Sequence, residues 1–185
     1  MDTGQSKFRL QRGAAGLLVV DIQERLCQAM DPERLLRMVA RTCAAIRGAK
    51  ALSLPIAVTE QYPKGLGRTL PQIASLLPDI RPIEKVSFSC GLENIRTSLG
   101  RQQILIVGME AHVCVFQTAR DLAQAGVVPY VLADAVMSRN EEDRQVGLSL
   151  CKDAGSVIST VESALFDLLG KASSAEFKLV SQAVK

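Results

Sequence analysis

Six short apolar runs, each of strand length and separated by longer stretches of helical character, constrain this chain more than any other feature. They are Gly16–Val20, Pro55–Thr59, Ile83–Ser87, Ile104–Gly108, Val127–Leu132 and Ser156–Thr160. Several are apolar at successive rather than alternate positions, the pattern of parallel strands covered on both faces. The alternation predicts an α/β fold: a doubly wound, three-layer α/β/α arrangement around a mainly parallel six-stranded sheet. Pro129, inside the fifth run, argues for an edge position or a later strand start there.

The intervening segments carry helix signals. At Asp31-Pro32-Glu33 the Asp can accept an orphan N–H, the Pro needs no donor and the Glu favours the dipole. Leu35, Leu36, Val39, Cys43 and Ile46 then recur at helical spacing as one expected buried face. A second helix is expected over Val113–Ala125, with Val115, Ala119 and Leu122 inward and Gly126 ending it. Asn140 opens a third, carrying Val146, Leu148 and Leu150, and Ser159–Glu162 has capping-box spacing ahead of Ala164–Leu169. One domain over residues 14–170 is expected, with an N-terminal extension (1–13) and a C-terminal helical extension (171–185). A chain of 185 residues buries about 70% of its unfolded surface, so its core needs no metal or disulfide staple.

Charge and cysteine usage exclude several classes. The net charge is only +3, the cations are scattered along the sequence and aromatics are 4%, so no nucleic-acid surface is evident. No apolar stretch nears the ~18 residues of a membrane span. A cytoplasmic location is expected; Lys7, Arg9 and Arg12 against Asp2 make a mitochondrial address the alternative. The five cysteines form no CxxC pair and there is one histidine, so no metal centre or other cofactor is expected. Free thiols in a reducing compartment fit best. The first strand runs into Asp21-Ile22-Gln23 without a GxGxxG, and Gly65-Leu66-Gly67 opens no helix, so the dinucleotide reading fails.

Ligands of such folds gather at the carboxyl ends of the strands, where four residues stand out. Asp21 ends the first run, and a charge there is costly unless it is paired or at the mouth. Lys85, in the third, needs a partner or a route to water. Cys114 follows the fourth run after a turn and opens a helix, a position expected to lower a thiol pKa. His112 is the obvious base for it, but side chains two apart do not meet, so a turn or pocket-lining role is expected instead. Cys43 and Cys151 fit apolar helix faces; Cys27 and Cys90 could line the mouth.

Three segments together resemble the isochorismatase-like cysteine hydrolases: Leu18-Val19-Val20-Asp21-Ile22-Gln23, Glu84-Lys85-Val86-Ser87-Phe88-Ser89, and Val107–Val115 with Cys114. Ala133–Val136 and Thr160–Phe166 follow in the family's order, and the likeness spans roughly residues 14–169. The resemblance implies that Asp21 takes the thiol proton, Cys114 attacks a carbonyl carbon and Lys85 holds both in register. It also implies a cis peptide at Met109–Glu110 and an oxyanion hole from the backbone N–H groups of Glu110 and Cys114. Gln23, Gln61, Tyr62 and Phe88, on the loops after the first three strands, are the expected substrate-binding residues. Two departures narrow the reading. The loop Thr59–Gly65 lacks the histidines of metal-dependent nicotinamidases, and Cys114 stands where vinyl-ether-cleaving isochorismatases have no cysteine. Hydrolysis of a small amide or related C–N bond remains, with two alternatives: a silent binding or scaffold protein, and a thiol sensor using Cys27 or Cys90 as resolving thiol. Self-association is implied as well, with Lys171–Lys185 the expected interface element.

Overall fold

The computed structural model describes residues 7–185; Asp2 and the rest of the first six positions of the expected N-terminal extension lie outside the described residues. In chain order the elements are β1 (Ala15–Val20), α1 (Glu24–Gln28), α2 (Pro32–Ala51), β2 (Ile56–Gln61), α3 (Pro63–Leu66), α4 (Pro71–Ala74), β3 (Ile83–Lys85) and α5 (Leu92–Leu99). Then come β4 (Gln103–Met109), a π-helical turn (Ala111–Val115) leading into α6 (Phe116–Gln124), β5 (Val128–Met137), α7 (Glu141–Asp153), β6 (Val157–Ser159), α8 (Val161–Leu169) and α9 (Phe177–Val184). The six strands form one sheet in the order β3-β2-β1-β4-β5-β6, and every pairing is parallel. The strand order reverses between β1 and β4, the crevice where doubly wound folds bind their ligands.

Contiguous apolar runs are needed because each strand feeds two cores. Leu17 and Val19 of β1, with Leu105 and Val107 of β4, point to the side covered by α2, α8 and α9. Leu18, Val20, Ile104 and Ile106 point to the other, covered by α5, α6 and α7. Fully burying one such side chain stabilises by about 2 kcal/mol before entropy is counted. The expected cap forms at Asp31, which accepts from the Arg34 N–H at 2.9 Å; the one expected at Ser159 falls a residue later, on Thr160, which accepts from the Ser163 N–H at 3.2 Å.

Three local expectations are corrected. Pro129 lies in β5, an interior strand paired on both sides. The Val128 N–H donates to Gln102 on the β4 side, so position 129 faces β6, where pairing starts only at Tyr130 and no donor is missed. On α2, Leu36 is exposed and Met38, Ala45 and Gly48 are buried; a Cβ at Gly48 would stand 2.4 Å from Leu165 Cδ1, so small residues set the contact. On α7 the buried residues are Gly147 and Cys151, while Val146 and Leu150 are exposed, because Gly147 rides on the backbone of Ala111 and His112. The C-terminal extension carries the helix α9, whose Val180 and Val184 join the α2–α8 core, and Phe177 meets Phe166 edge-on at 6.3 Å.

One glycine shapes the crevice. Gly108, with φ +120°, sits so close to β1 that a Cβ would fall 2.0 Å from the Val20 carbonyl oxygen. Only glycine permits that approach, which brings the ends of β1 and β4 together.

Candidate active site

The carboxyl ends of β1, β2, β3 and β4 place Asp21, Thr59, Lys85 and Cys114 in one buried cluster. Asp21 leaves β1 in the left-handed region (φ +49°), which Asp tolerates better than most residues, and its side chain is fully buried. Both carboxylate oxygens are held. Lys85 Nζ donates to Oδ2 at 2.6 Å and Thr59 Oγ1 donates to Oδ1 at 2.7 Å. A buried charge survives only when paired in this way. Lys85, at the end of an edge strand, turns inward and is further held by Gln61 Oε1 at 2.8 Å and the carbonyls of Phe88 (3.0 Å) and Ser87 (3.3 Å).

Cys114 sits on the π-helical turn after β4. The Met109–Glu110 peptide bond is cis, and the Glu110 carbonyl accepts from the N–H groups of Val113 at 3.1 Å and Val115 at 3.2 Å. The thiol lies within reach of the Asp21 carboxylate, whose charge acts on it. Its pKa is raised, first by burial and then by the Asp21 charge, with Lys85 opposing both. The lowered value expected from its helix position is therefore not found: a helix terminus offers partial charge, while the carboxylate it touches is a full one. Cys114 rests as a protonated thiol beside an acceptor.

The remaining sequence-predicted residues divide. Gln23 is fully buried and grips the chain: its Oε1 accepts from the Gln61 N–H at 2.7 Å, and its Nε2 donates to the carbonyls of Gln61 (3.0 Å) and Gly67 (2.7 Å). Gln61, also buried, divides its amide between Lys85 and the Val86 carbonyl (2.8 Å). Tyr62 and Phe88, 54% and 52% exposed, stand at the rim. Tyr62, Pro63, Lys64, Glu84, Lys85 and Val86 bound a depression of about 330 Å³ there. Glu110 accepts from Arg139 through its backbone N–H (3.1 Å) and Nε (3.0 Å), and His112 Nδ1 lies 2.9 Å from Ser138 Oγ, away from the thiol.

Sequence reasoning missed Thr59 and left Cys90 open. Cys90 packs in the same core as Cys114, its Sγ 3.6 Å from Thr59 Oγ1 and its N–H on Thr118 Oγ1, and burial pushes its thiol up to about 11. Cys27 lies in the core on the opposite face of the sheet, so it does not line this mouth. Among the described residues no group of three His, Cys, Asp or Glu is placed to hold a metal, and no helix is long and apolar enough to cross a membrane.

Comparison with known proteins agrees with this fold. The chain is 33% identical over 181 residues to isochorismatase domain-containing protein 2 of Bos taurus, covering 96% of this chain and 86% of that protein. It is 34% identical over 185 residues to the secreted isochorismatase effector Isc1 of Phytophthora sojae, covering 96% and 87%. The solved MAR1 ribonuclease of Caenorhabditis elegans superposes with a TM-score of 0.90 at 33% identity, over 95% of this chain and 92% of that one. Residues 15–163 match the isochorismatase domain, and the chain belongs to the isochorismatase family.

Proposed function

We propose that this protein is a metal-independent cysteine hydrolase that cleaves a small amide or related C–N bond through a thioester on Cys114. The family supports a hydrolase-like function. The observation that carries the finer reading is the convergence on Asp21, whose carboxylate is within reach of the Cys114 thiol while Lys85 and Thr59 fix its two oxygens. Because the thiol is protonated at rest, Asp21 acts as base during attack. Its oxygen takes the thiol proton as sulfur bonds to the carbonyl carbon. When the C–N bond breaks, that proton passes to the leaving nitrogen. Water then attacks the thioester, giving one proton to Asp21, and the departing sulfur recovers it as the acid is released. The N–H groups of Glu110 and Cys114 are the proposed oxyanion donors.

A small, uncharged reacting group suits the site. Lys85, the cation beside the thiol, is buried against the Asp21 carboxylate and is not free to pair with a phosphodiester. Tyr62 and Phe88 are the proposed substrate contacts; Gln23 and Gln61 serve the site by holding Lys85 and its strand. Acid-quenched intact-mass spectrometry after mixing with small amides should find an acyl adduct on Cys114 that is lost in Cys114→Ala. No adduct from any of them, with the fold intact, would leave the binding role in its place.

We also propose self-association, through α7 rather than α9: Val146 and Leu150 expose an apolar i,i+4 pair, whereas α9 turns Val180 and Val184 into its own core and exposes Leu179 alone of its large apolar residues. Light scattering at micromolar concentration that returned the 20.0 kDa mass of one chain would refute it.

A further inference from the structure

The cations that look scattered along the sequence converge on one helix. α2 carries Arg34, Arg37, Arg41, Arg47 and Lys50 against a single carboxylate, Glu33, more net positive charge than the +3 of the whole chain. Arg34, Arg37 and Arg41, spaced three and four apart, lie within an arc of about 60°. Like charges at that spacing repel and lower helix stability, and part of the repulsion is relieved. Arg34 pairs with Glu141, Arg37 with Glu33, and Arg41 reaches Asp134 at 3.9 Å. Arg47 has no ion-pair partner among the described residues.

These side chains border a groove between α2 and α9 of about 530 Å³. Its floor is apolar, with Ala40, Ala44 and Val184; its rim carries Arg37, Arg41 and Arg47. Among the described residues no Asp or Glu side chain lines it; Lys185 does, and Arg41 donates to the Val184 carbonyl at 3.0 Å. The groove belongs to the α2 side of the sheet, opposite the core that contains Cys114, so it is separate from the catalytic crevice.

We propose that this groove is a binding site for a small phosphate-bearing molecule with an apolar portion. Arg47 is unpaired among the described residues, the Arg37–Glu33 pair is exposed and the Arg41–Asp134 contact is long, so a phosphate head can take N–H forks from these guanidinium groups at little cost, with a hydrocarbon body lying over the small side chains beneath. The floor argues against a bare inorganic ion, and the concave shape, closed by α9 on one side, argues against a flat surface.

The test is calorimetric titration of the full chain with octyl phosphate and with inorganic phosphate at fixed ionic strength. One saturable site per chain is expected, with octyl phosphate at least about tenfold tighter because its chain is buried. Arg37→Ser and Arg47→Ser, both at exposed positions, should each weaken octyl phosphate about tenfold, the effect of losing a hydrogen bond to a charged group. Lys152→Ser on α7 removes the same charge away from the groove and should change nothing. Absence of saturable binding, equal weakening by Lys152→Ser, or binding confined to anionic vesicles or to RNA would each overturn the proposal. The hydrolase reading stands or falls separately, since neither arginine touches the Cys114 site.

Discussion

Thr59 donates its hydroxyl proton to Asp21 Oδ1 at 2.7 Å, so the proposed base is aligned by two donors, with Lys85 on its other oxygen. A threonine hydroxyl has one proton, and with that proton on Asp21 it faces Cys90 Sγ as an acceptor. Thr59→Val keeps the shape and removes the donor. It should cost about 1–3 kcal/mol of stability, since a charged acceptor loses a buried partner, and lower hydrolysis about tenfold. Thr59→Ser should restore both, which a role in packing alone would not allow. Thermal melts alongside single-turnover acylation measure the two effects.

The four expected pocket residues should separate into two behaviours. Gln23→Ala leaves the Gln61 N–H and the Gly67 carbonyl without their partner in a buried place, and should cost about 2–4 kcal/mol in denaturant unfolding. Phe88→Ala removes a half-exposed ring and should leave stability within about 0.5 kcal/mol, while raising KM for a substrate with an apolar acyl group. Equal stability losses in both variants would remove Phe88 from the rim.

How far the sequence reached depended on whether a residue's role was set by its own strand or by its neighbour's. Asp21, Lys85 and Cys114 could be marked because each ends or follows an apolar run, and all three are brought together. Thr59 and Gln61 matter because of register: Thr59 pairs with Val20, next to Asp21, and Gln61 pairs with Lys85. Strand order is not written in a linear pattern, so those partners were hidden. The inward placement of Leu36 on α2, and of Val146 and Leu150 on α7, failed for a related reason. Apolar spacing marks large residues, whereas Gly48 and Gly147 bury because another element has to come close. The direction in which the Cys114 pKa moves was missed because helix position was weighed without the carboxylate it touches.

Alkaline pH should destabilise the fold through its thiols. Burial pushes Cys27 and Cys90 up to about 11 and Cys151 up to about 12, from an ordinary value of 9.0. Below pH 9 these thiols are protonated in folded and unfolded chains alike, and their contribution is fully present. From pH 9 to about 12 the unfolded chain loses protons that the folded one keeps, so unfolding is favoured and Tm falls. Lysines and tyrosines titrate in the same range, so the measurement is the difference from Cys151→Ala, whose Tm should fall less steeply between pH 9 and 11.

Gly147→Ala tests whether α7 supports the nucleophile. The added Cβ would stand 2.6 Å from the Ala111 carbonyl carbon and the His112 nitrogen, backbone atoms of the turn that carries Cys114. Overpacking of this kind costs about 1–3 kcal/mol, and it should also slow Cys114 acylation because the turn has to shift. Unchanged acylation in a destabilised variant would mean that the strain is absorbed by α7 alone.

Asp21 and Lys85 should affect the free thiol in opposite directions while hydrolysis needs both. The Asp21 charge raises the Cys114 pKa and Lys85 lowers it. Asp21→Asn keeps the shape, removes the raising charge and leaves Lys85 acting alone, so the thiolate fraction at pH 8 should increase. For a thiol that is mostly protonated, about 1.4 kcal/mol of lost repulsion gives about tenfold more thiolate. Iodoacetamide, which needs only the thiolate, should therefore label Cys114 about tenfold faster than in the parent. Lys85→Met removes the lowering charge and leaves Asp21 unopposed, so labelling should slow by a similar factor; it also leaves a buried carboxylate unpaired, at about 3–5 kcal/mol, and a circular dichroism check of the fold accompanies it. Amide hydrolysis should be lost in both, because one lacks the proton acceptor and the other its alignment. Faster labelling with lost turnover in Asp21→Asn separates a base that acts during attack from one that holds a preformed thiolate. If Asp21→Asn labels more slowly than the parent, the resting site is a thiolate beside a protonated carboxyl, and the order of proton transfer proposed for Cys114 reverses.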